Sequence, residues 1–417
     1  MSLLSKLKDD PLFSKVLRSS GALLSTNTIS LGLSVVQSVL AGRLLGPAGF
    51  GLVAIIMSYA STVNGLLSFR MSELVVRYGG EYLEKGEKEK TAALVKAAAL
   101  SEATVSLLAF LVVTITAALA SQFVAKTPNT AILFIIYSLG LLANFNTETS
   151  TGVLQMLGKI KYQGVINLVQ SILTAGMITF AYFTNGSLQF ILYAYLAGKV
   201  VLGLSIFFTA FFQLNKKLGS NWWKAKINSI PKVRELARFA VSSNLSATII
   251  LVFRESEILW VGYFLTLEAA GLYRAAYNII GLLSVSANPL ILSTYPEINK
   301  LVVQKAWPRL KDFLKKVTTF SAVYNLALAA GFVIFGKWLL SISGEKYVAA
   351  YPVLLVLLVG FTFNYIFFWN RPLLLSLGFP QFPIYVTLIV GLLKLAFAFP
   401  LIPRFGIVAA GALLSFY

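Results

Sequence analysis

Apolar runs of about twenty residues, each long enough as a helix to cross a bilayer, alternate with short polar and basic stretches along almost the whole chain. The pattern predicts spans at about 21–41, 48–70, 91–120, 130–155, 163–183 and 188–212. A break in composition follows, QLNKKLGSNWWKAKINSIPKVRELAR at 213–238, with Trp222 and Trp223 as interfacial anchors. Spans then resume at about 239–263, 270–296, 318–341, 350–373 and 381–402, interrupted by the basic amphipathic segment KLVVQKAWPRLKDFLKK at 300–316. The apolar run from Phe405 to Tyr417 is too short to cross, and the expectation is a twelfth helix cut off there. The N-terminal MSLLSKLKDDPLFSKVLRSSG is charged through Arg18 and then runs on past a signal core, so it does not read as a signal peptide. It fits a short surface helix as well as it fits an unstructured tail.

The stretch Gly42–Lys90 combines a Gly/Pro turn (GPAGFG at 46–51), one apolar span and a charged tail rich in Glu and Lys. Part of it returns at a fixed offset. Gly42, Leu45, Gly51 and Leu52 are matched 220 residues on by Gly262, Leu265, Gly271 and Leu272, and Arg18 by Arg238. Two related halves follow from this: a helical bundle over 1–212, a cytoplasmic basic linker over 213–238, and a second bundle over 239–417.

Composition changes the picture by exclusion. A hydrophobic share of 57% with only 12% charged residues rules out an ordinary soluble domain. A balance of +19 would suggest nucleic acid in a soluble protein. Here the cations cluster between spans, so they orient the chain and no nucleic-acid partner is expected. With the N-terminus inside, 24 Lys and Arg fall on the cytoplasmic side and five (Arg43, Lys126, Lys337, Lys346, Arg404) outside. The absence of Cys removes disulfide and thiol chemistry, and the absence of His removes the commonest proton shuttle and metal ligand. No resident cofactor or metal is expected. No GxxxxGK[ST] phosphate loop and no DxD-like pair occur, which argues against ATP hydrolysis and glycosyl transfer; the chain does not read as an enzyme.

Six cations lie within or at the ends of spans: Arg70, Lys199, Arg254, Arg274, Arg371 and Lys394. The acids there are Glu73, Glu102, Glu148, Glu255 and Glu257. A charge near the bilayer centre is costly, so it faces a wet cavity or a counter-charge. Arg70, Glu73 and Arg371 sit near span ends, where snorkelling explains them; Lys199, Arg254, Glu255, Glu257 and Lys394 are deeper. The tightest cluster is FRESEILW at 253–260, where helical spacing puts Arg254 and Glu257 on one face. Two readings stay open: an ion pair locking this span to the next through Arg274, or an anion site in which Arg254 and Arg274 hold a phosphate. The matching first-half residues are Ser34, Val35 and Gln37, so the halves differ in charge.

The segments LAGRLLGPAGFGLVAIIMSYASTVNGLL and, at 269–298, AAGLYRAAYNIIGLLSVSANPLILSTYPEI resemble the two half-signatures of the polysaccharide transport family. That family holds O-antigen and capsule-precursor flippases, within the multidrug/oligosaccharidyl-lipid/polysaccharide flippase superfamily. The resemblance implies an all-α integral membrane protein of two pseudo-symmetric six-helix bundles around a central cavity. It also implies a cargo, an isoprenoid-diphosphate-linked oligosaccharide, moved from cytoplasmic to outer leaflet of the cell membrane by alternating access. On that reading Arg254, Arg274, Lys199, Lys394, Arg70 and Arg371 bind substrate, while Glu257, Glu255, Glu148 and Glu102 supply coupling or counter-charge. Coupling to Na⁺, to H⁺ or to neither stays open. Partners are the lipid-linked oligosaccharide and the bilayer, with a polysaccharide polymerase and glycosyltransferases as neighbours in the process. Two other readings compete. A multidrug/cation antiporter of the same superfamily would use the membrane acids, and a non-transporting scaffold has no reason to carry the deep charges.

Because the chain has no Cys, single cysteines test the orientation. Placed at Lys224 or Lys311 they should react with an impermeant thiol reagent only from the cytoplasm, and at Asn129 or Glu345 only from outside. Labelling of position 224 from outside overturns the orientation.

Overall fold

The computed structural model describes residues 11–229, 236, 248, 251–379 and 381–417, with side chains described from Thr28 onward except at 255, 284–293 and 296. The first ten residues, most of the stretch 230–250 and Arg238 of the repeat therefore lie outside the described residues. Among those described, all regular structure is helical. In hydrocarbon a backbone amide finds no water, and a helix satisfies its amides within itself. Among the described residues, eight helical segments are long and apolar enough to cross a membrane.

The expected first and second spans are the two limbs of α1 (Pro11–Leu67), two helices separated at Gly46 by non-helical backbone with φ 65° and ψ 176°. That left-handed φ suits glycine, and Pro47 starts the second limb with a φ already set for a helix. After α2 (Met71–Leu74), a π-turn (Val75–Gly79) and α3 (Gly80–Glu84) comes α4 (Lys88–Leu119), which ends in a second π-turn (Ala120–Val124). The expected fourth span is broken into α5 (Ala131–Ala143) and α6 (Thr147–Met156). Then come α7 (Lys161–Phe183) and α8 (Leu188–Leu218), so helix continues six residues into the expected linker. A third π-turn (Leu251–Glu255) leads into α9 (Glu257–Phe264), and α10 (Leu267–Val303), α11 (Trp307–Ser341), α12 (Tyr351–Ile366) and α13 (Asn370–Ser376) follow. The last range, α14 (Phe382–Phe416), is two helices separated at Gly406 by non-helical backbone with φ 65° and ψ −149°, so the expected eleventh span and the apolar run after it are distinct limbs. The basic segment 300–316 is shared between the end of α10 and the start of α11, with a turn at Lys305 (φ 53°).

Two compact units emerge: Met1–Gln37, Val63–Ala117 and Ala131–Leu245 form the first, and Ser38–Thr62, Ala118–Thr130 and Ser246–Tyr417 the second. They cut across the sequence halves, because the second limb of α1 and the π-turn after α4 pack with the C-terminal residues.

In the first unit, Met71, Val75, Val95, Ala98, Val153, Leu154, Ile206, Ala210 and Leu214 form the core. The break at Asn144–Asn146 leaves backbone groups that the hydrocarbon cannot satisfy, and side chains do so instead. The two carboxylate oxygens of Glu102, deep in α4, accept from the Glu148 and Thr149 backbone N–H groups at 2.8 Å each. Asn144 Nδ2 donates to the Gly140 and Lys199 carbonyls, and the Glu148 carboxylate accepts from the Ser72 hydroxyl. Gly203 lets the break approach α8, since a Cβ there would stand 2.3 Å from the Ala143 carbonyl oxygen.

In the second unit, α10 crosses the second limb of α1 at the paired glycines of the repeat. A Cβ on Gly51 would lie 2.0 Å from the Leu267 carbonyl oxygen, and one on Gly271 would lie 1.9 Å from that of Pro47. Backbone meets backbone here, so small residues are required. The turns ahead of the two helices are built differently. Where the first half uses Gly46 and Pro47, the second uses Thr266, whose hydroxyl accepts from the Ala269 N–H.

Two outcomes are expected of purified protein in detergent. Gly51→Ala and Gly271→Ala should each lower the thermal midpoint, at a cost of about 1–3 kcal/mol from overpacking. Gly32→Ala and Gly281→Ala, with open space around them, should be neutral or stabilise by up to about 1 kcal/mol. Glu102→Ala strips two buried N–H groups of their acceptor at about 1–3 kcal/mol each and should lower the midpoint, whereas exposed Glu84→Ala should leave it unchanged.

Candidate functional site

The π-turn at Leu251–Glu255 sets the site in the second unit. Its wider rung is closed by the Ser256 N–H donating to the Leu251 carbonyl at 3.1 Å, and the Ser256 hydroxyl donates to the Val252 carbonyl at 2.6 Å. Such turns recur at functional positions because they shift helix register without ending the helix. Here the shift carries Arg254 and Glu257 to different partners. Gly391 of α14 makes room for the Phe253 ring, where a Cβ would stand 2.4 Å away.

Glu257 and Lys394, only 3% and 5% exposed, form a buried ion pair, and the Lys394 ammonium also donates to the Phe253 carbonyl. The Tyr417 ring lies 5.4 Å from that ammonium. Of the two readings left open, the ion pair exists but with another partner: Glu257 pairs with Lys394 and not with Arg254. The π-turn breaks the α-helical register on which the three-residue spacing relied, and the carboxylate belongs to a lysine 137 residues away. The tie runs from α9 to α14, not through Arg274 to α10.

Arg254 and Arg274 do come together. With Glu257, Ile258, Tyr273 and Tyr277 they line one small cavity, and the Arg254 guanidinium also lies 5.4 Å from the Phe361 ring centroid. Both arginines are half-buried, and neither makes an ion pair among the described residues. Among the described residues the one carboxylate lining the cavity, Glu257, is paired with Lys394, and no acid is paired with either guanidinium. A half-buried pair of guanidiniums can bind an anion such as phosphate through paired, charge-assisted hydrogen bonds.

The remaining span charges divide by location. Lys199 lies in the first unit on α8, with its ammonium 5.1 Å from the Tyr137 ring centroid and no acid paired to it among the described residues. Glu102 and Glu148 sit together at the start of α6, in the contacts described above. Arg70 forms a surface pair with Glu73 at 3.0 Å, and Arg371 is exposed. The side chain of Glu255 is outside the described residues.

Gln37, the first-half counterpart of Glu257, is buried and donates from Nε2 to the Ser171 carbonyl of α7 at 3.0 Å. In each half, then, the first helix is tied to the fifth, by a neutral hydrogen bond in one and an ion pair in the other. Lys394 was the partner that local spacing missed; the signal for it was a deep lysine on an otherwise uncharged span.

Residues 16–302 match the family described as polysaccharide biosynthesis protein. The inner membrane protein YghQ of Escherichia coli (strain K12) is 24% identical over 356 residues, covering 83% of this chain and 97% of that protein. Among solved structures, an inward-facing multidrug resistance MATE family transporter of the MOP superfamily superposes with a TM-score of 0.70 at 15% identity, over 92% of this chain and 90% of that one. The lipid II flippase MurJ, in an inward closed conformation, gives 0.70 at 13% identity over 94% and 84%. The chain belongs to the polysaccharide biosynthesis protein family, a multi-pass membrane protein with the fold of MOP-superfamily transporters and of a lipid II flippase.

Proposed function

We propose that this membrane transporter is a flippase that moves an isoprenoid-diphosphate-linked oligosaccharide from the cytoplasmic to the outer leaflet by alternating access, with its N-terminus in the cytoplasm. The observation that carries the proposal is that Arg254 and Arg274 line one cavity whose described carboxylate, Glu257, is paired with Lys394. A diphosphate is the part of such a cargo that most needs cations away from bulk water. Family membership favours a glycan precursor, and the likeness to a lipid II flippase favours a lipid carrier. Lys199, also without a paired acid, is a second candidate contact in the other unit. In this reading Arg254 and Arg274 hold the diphosphate, and Lys394 and Glu257 keep α9 and α14 in place.

A cation exporter fits less well, because each deep carboxylate with described contacts is already engaged: Glu257 by an ammonium, Glu102 by two backbone N–H groups and Glu148 by a hydroxyl.

The two roles separate under mutation. A charge-assisted hydrogen bond contributes about 1.5–3 kcal/mol, so Arg254→Ala or Arg274→Ala should weaken binding of an isoprenoid diphosphate to purified protein roughly ten- to a hundredfold. Membrane abundance should stay normal, glycan export should fail, and Arg254→Lys should restore export only in part. Lys394→Met leaves a buried carboxylate unpaired and should cost about 3–5 kcal/mol, seen as lost folded protein. Adding Glu257→Gln should recover much of that protein. Normal export at normal abundance in Arg254→Ala/Arg274→Ala sinks the proposal.

A further inference from the structure

A second cationic feature lies in the first unit, at the loop end of α8. Lys159, Lys216 and Lys217 line an open groove of about 760 Å³ with Gln213, above a floor of Leu83, Met156 and Leu157. The lysines are exposed and the floor residues half-buried, so the groove presents a charged rim over apolar surface. The level of the groove is marked by Trp222, whose Nε1 donates to Asn215 Oδ1 at 2.9 Å, and by exposed Trp223. Indole side chains concentrate at the membrane–water boundary, where lipid headgroups sit.

Three lysines elsewhere on the surface are matched with acids three or four residues away, Lys85 with Glu81, Lys90 with Glu87 and Lys316 with Asp312, while Lys300 and Lys311 are in no ion pair among the described residues. The groove lysines make no such pair among the described residues. Sequence explains part of this, since no acid stands between Glu148 and Glu235. Of the acids flanking Leu83, Glu81 is held by Lys85, and Glu84 makes no ion pair with the three lysines. A helix-end preference accounts for Lys216 and Lys217, which lie in the last turn of α8 where the dipole favours cations. It accounts for Lys159 as well, whose N–H donates to the Leu154 carbonyl in the turn that closes the C-terminus of α6. Helix ends explain why these lysines stand where they do; what sets them apart is that all three line one groove over an apolar floor, a surface complementary to an anion that carries apolar chains.

We propose that this groove binds the headgroup of an anionic phospholipid, with the phosphate on Lys159, Lys216 and Lys217 and the acyl chains leaving over Leu83, Met156 and Leu157. Basic pockets beside membrane helices take anionic headgroups because each surface cation contributes about 1 kcal/mol toward them. The apolar floor selects a lipid over free phosphate, which has nothing to place there. The site needs only that the chain spans a membrane, so it stands apart from the flippase reading.

The test is native mass spectrometry of the intact detergent-purified protein, titrated with phosphatidylglycerol and with phosphatidylcholine. Wild type should bind phosphatidylglycerol at least tenfold more tightly than phosphatidylcholine. Lys159→Gln/Lys216→Gln/Lys217→Gln should lose at least tenfold of that affinity while eluting as a single folded species. The same three positions changed to Arg should retain binding, and Lys85→Gln/Lys90→Gln/Lys316→Gln should bind as wild type. Equal affinity for the two lipids overturns the proposal, as does undiminished binding by the triple Gln variant. Inorganic pyrophosphate and an isoprenoid diphosphate are added as competitors. Displacement of phosphatidylglycerol by pyrophosphate at equal concentration assigns the groove to free phosphate, and displacement by substoichiometric isoprenoid diphosphate assigns it to cargo; either result overturns the phospholipid assignment.

Discussion

Every break in a helix inside hydrocarbon exposes backbone groups that no water can satisfy, and this chain repairs its breaks with charged and polar side chains. Glu102 accepts from the first N–H groups of α6 after the interruption at Asn144–Asn146. Lys394 donates to the Phe253 carbonyl in the π-turn. Much of the costly charge within the spans is thus accounted for as structure, and the charge that is not, on Arg254, Arg274 and Lys199, stands out for that reason.

That division separates this fold from a simple bundle of apolar helices. A broken or bulged helix presents polar backbone at membrane depth, which is tolerated only where protein covers it or a cavity is lined by it. The turn at Leu251–Glu255 meets both conditions. One side is sealed by Lys394, Phe253 and Gly391, while the other opens on the two arginines. The same local irregularity therefore holds α14 in place and presents the site.

The two halves show how a repeat diverges without losing its frame. Gly51 and Gly271 meet at one crossing because neither backbone tolerates a Cβ there. The tie between first and fifth helices is kept as Gln37 to Ser171 in one half and as Glu257 to Lys394 in the other. Replacing a neutral hydrogen bond by an ion pair changes the electrostatics of one half while leaving its architecture, so a site for an anion can develop on one side of a pseudo-symmetric fold.

The sequence by itself determined that the chain is helical, that it crosses a membrane many times, and which residues carry charge into the spans. These follow from segment length and hydrophobicity, which are local properties. The 220-residue offset likewise picked out Gly51 and Gly271 before their contact was visible. Tertiary structure decided the partners. Spacing put Arg254 and Glu257 on one face of an uninterrupted α-helix and left open whether they pair; the structure has a π-turn there and gives Glu257 to Lys394. Glu102 read as a coupling or counter-charge acid, and only the structure shows which groups it meets, the Glu148 and Thr149 N–H groups at the break in a neighbouring helix. A carboxylate's partner is chosen by helix rotation and by what packs opposite, across 46 residues for Glu102 and 137 for Glu257, and no local pattern encodes either.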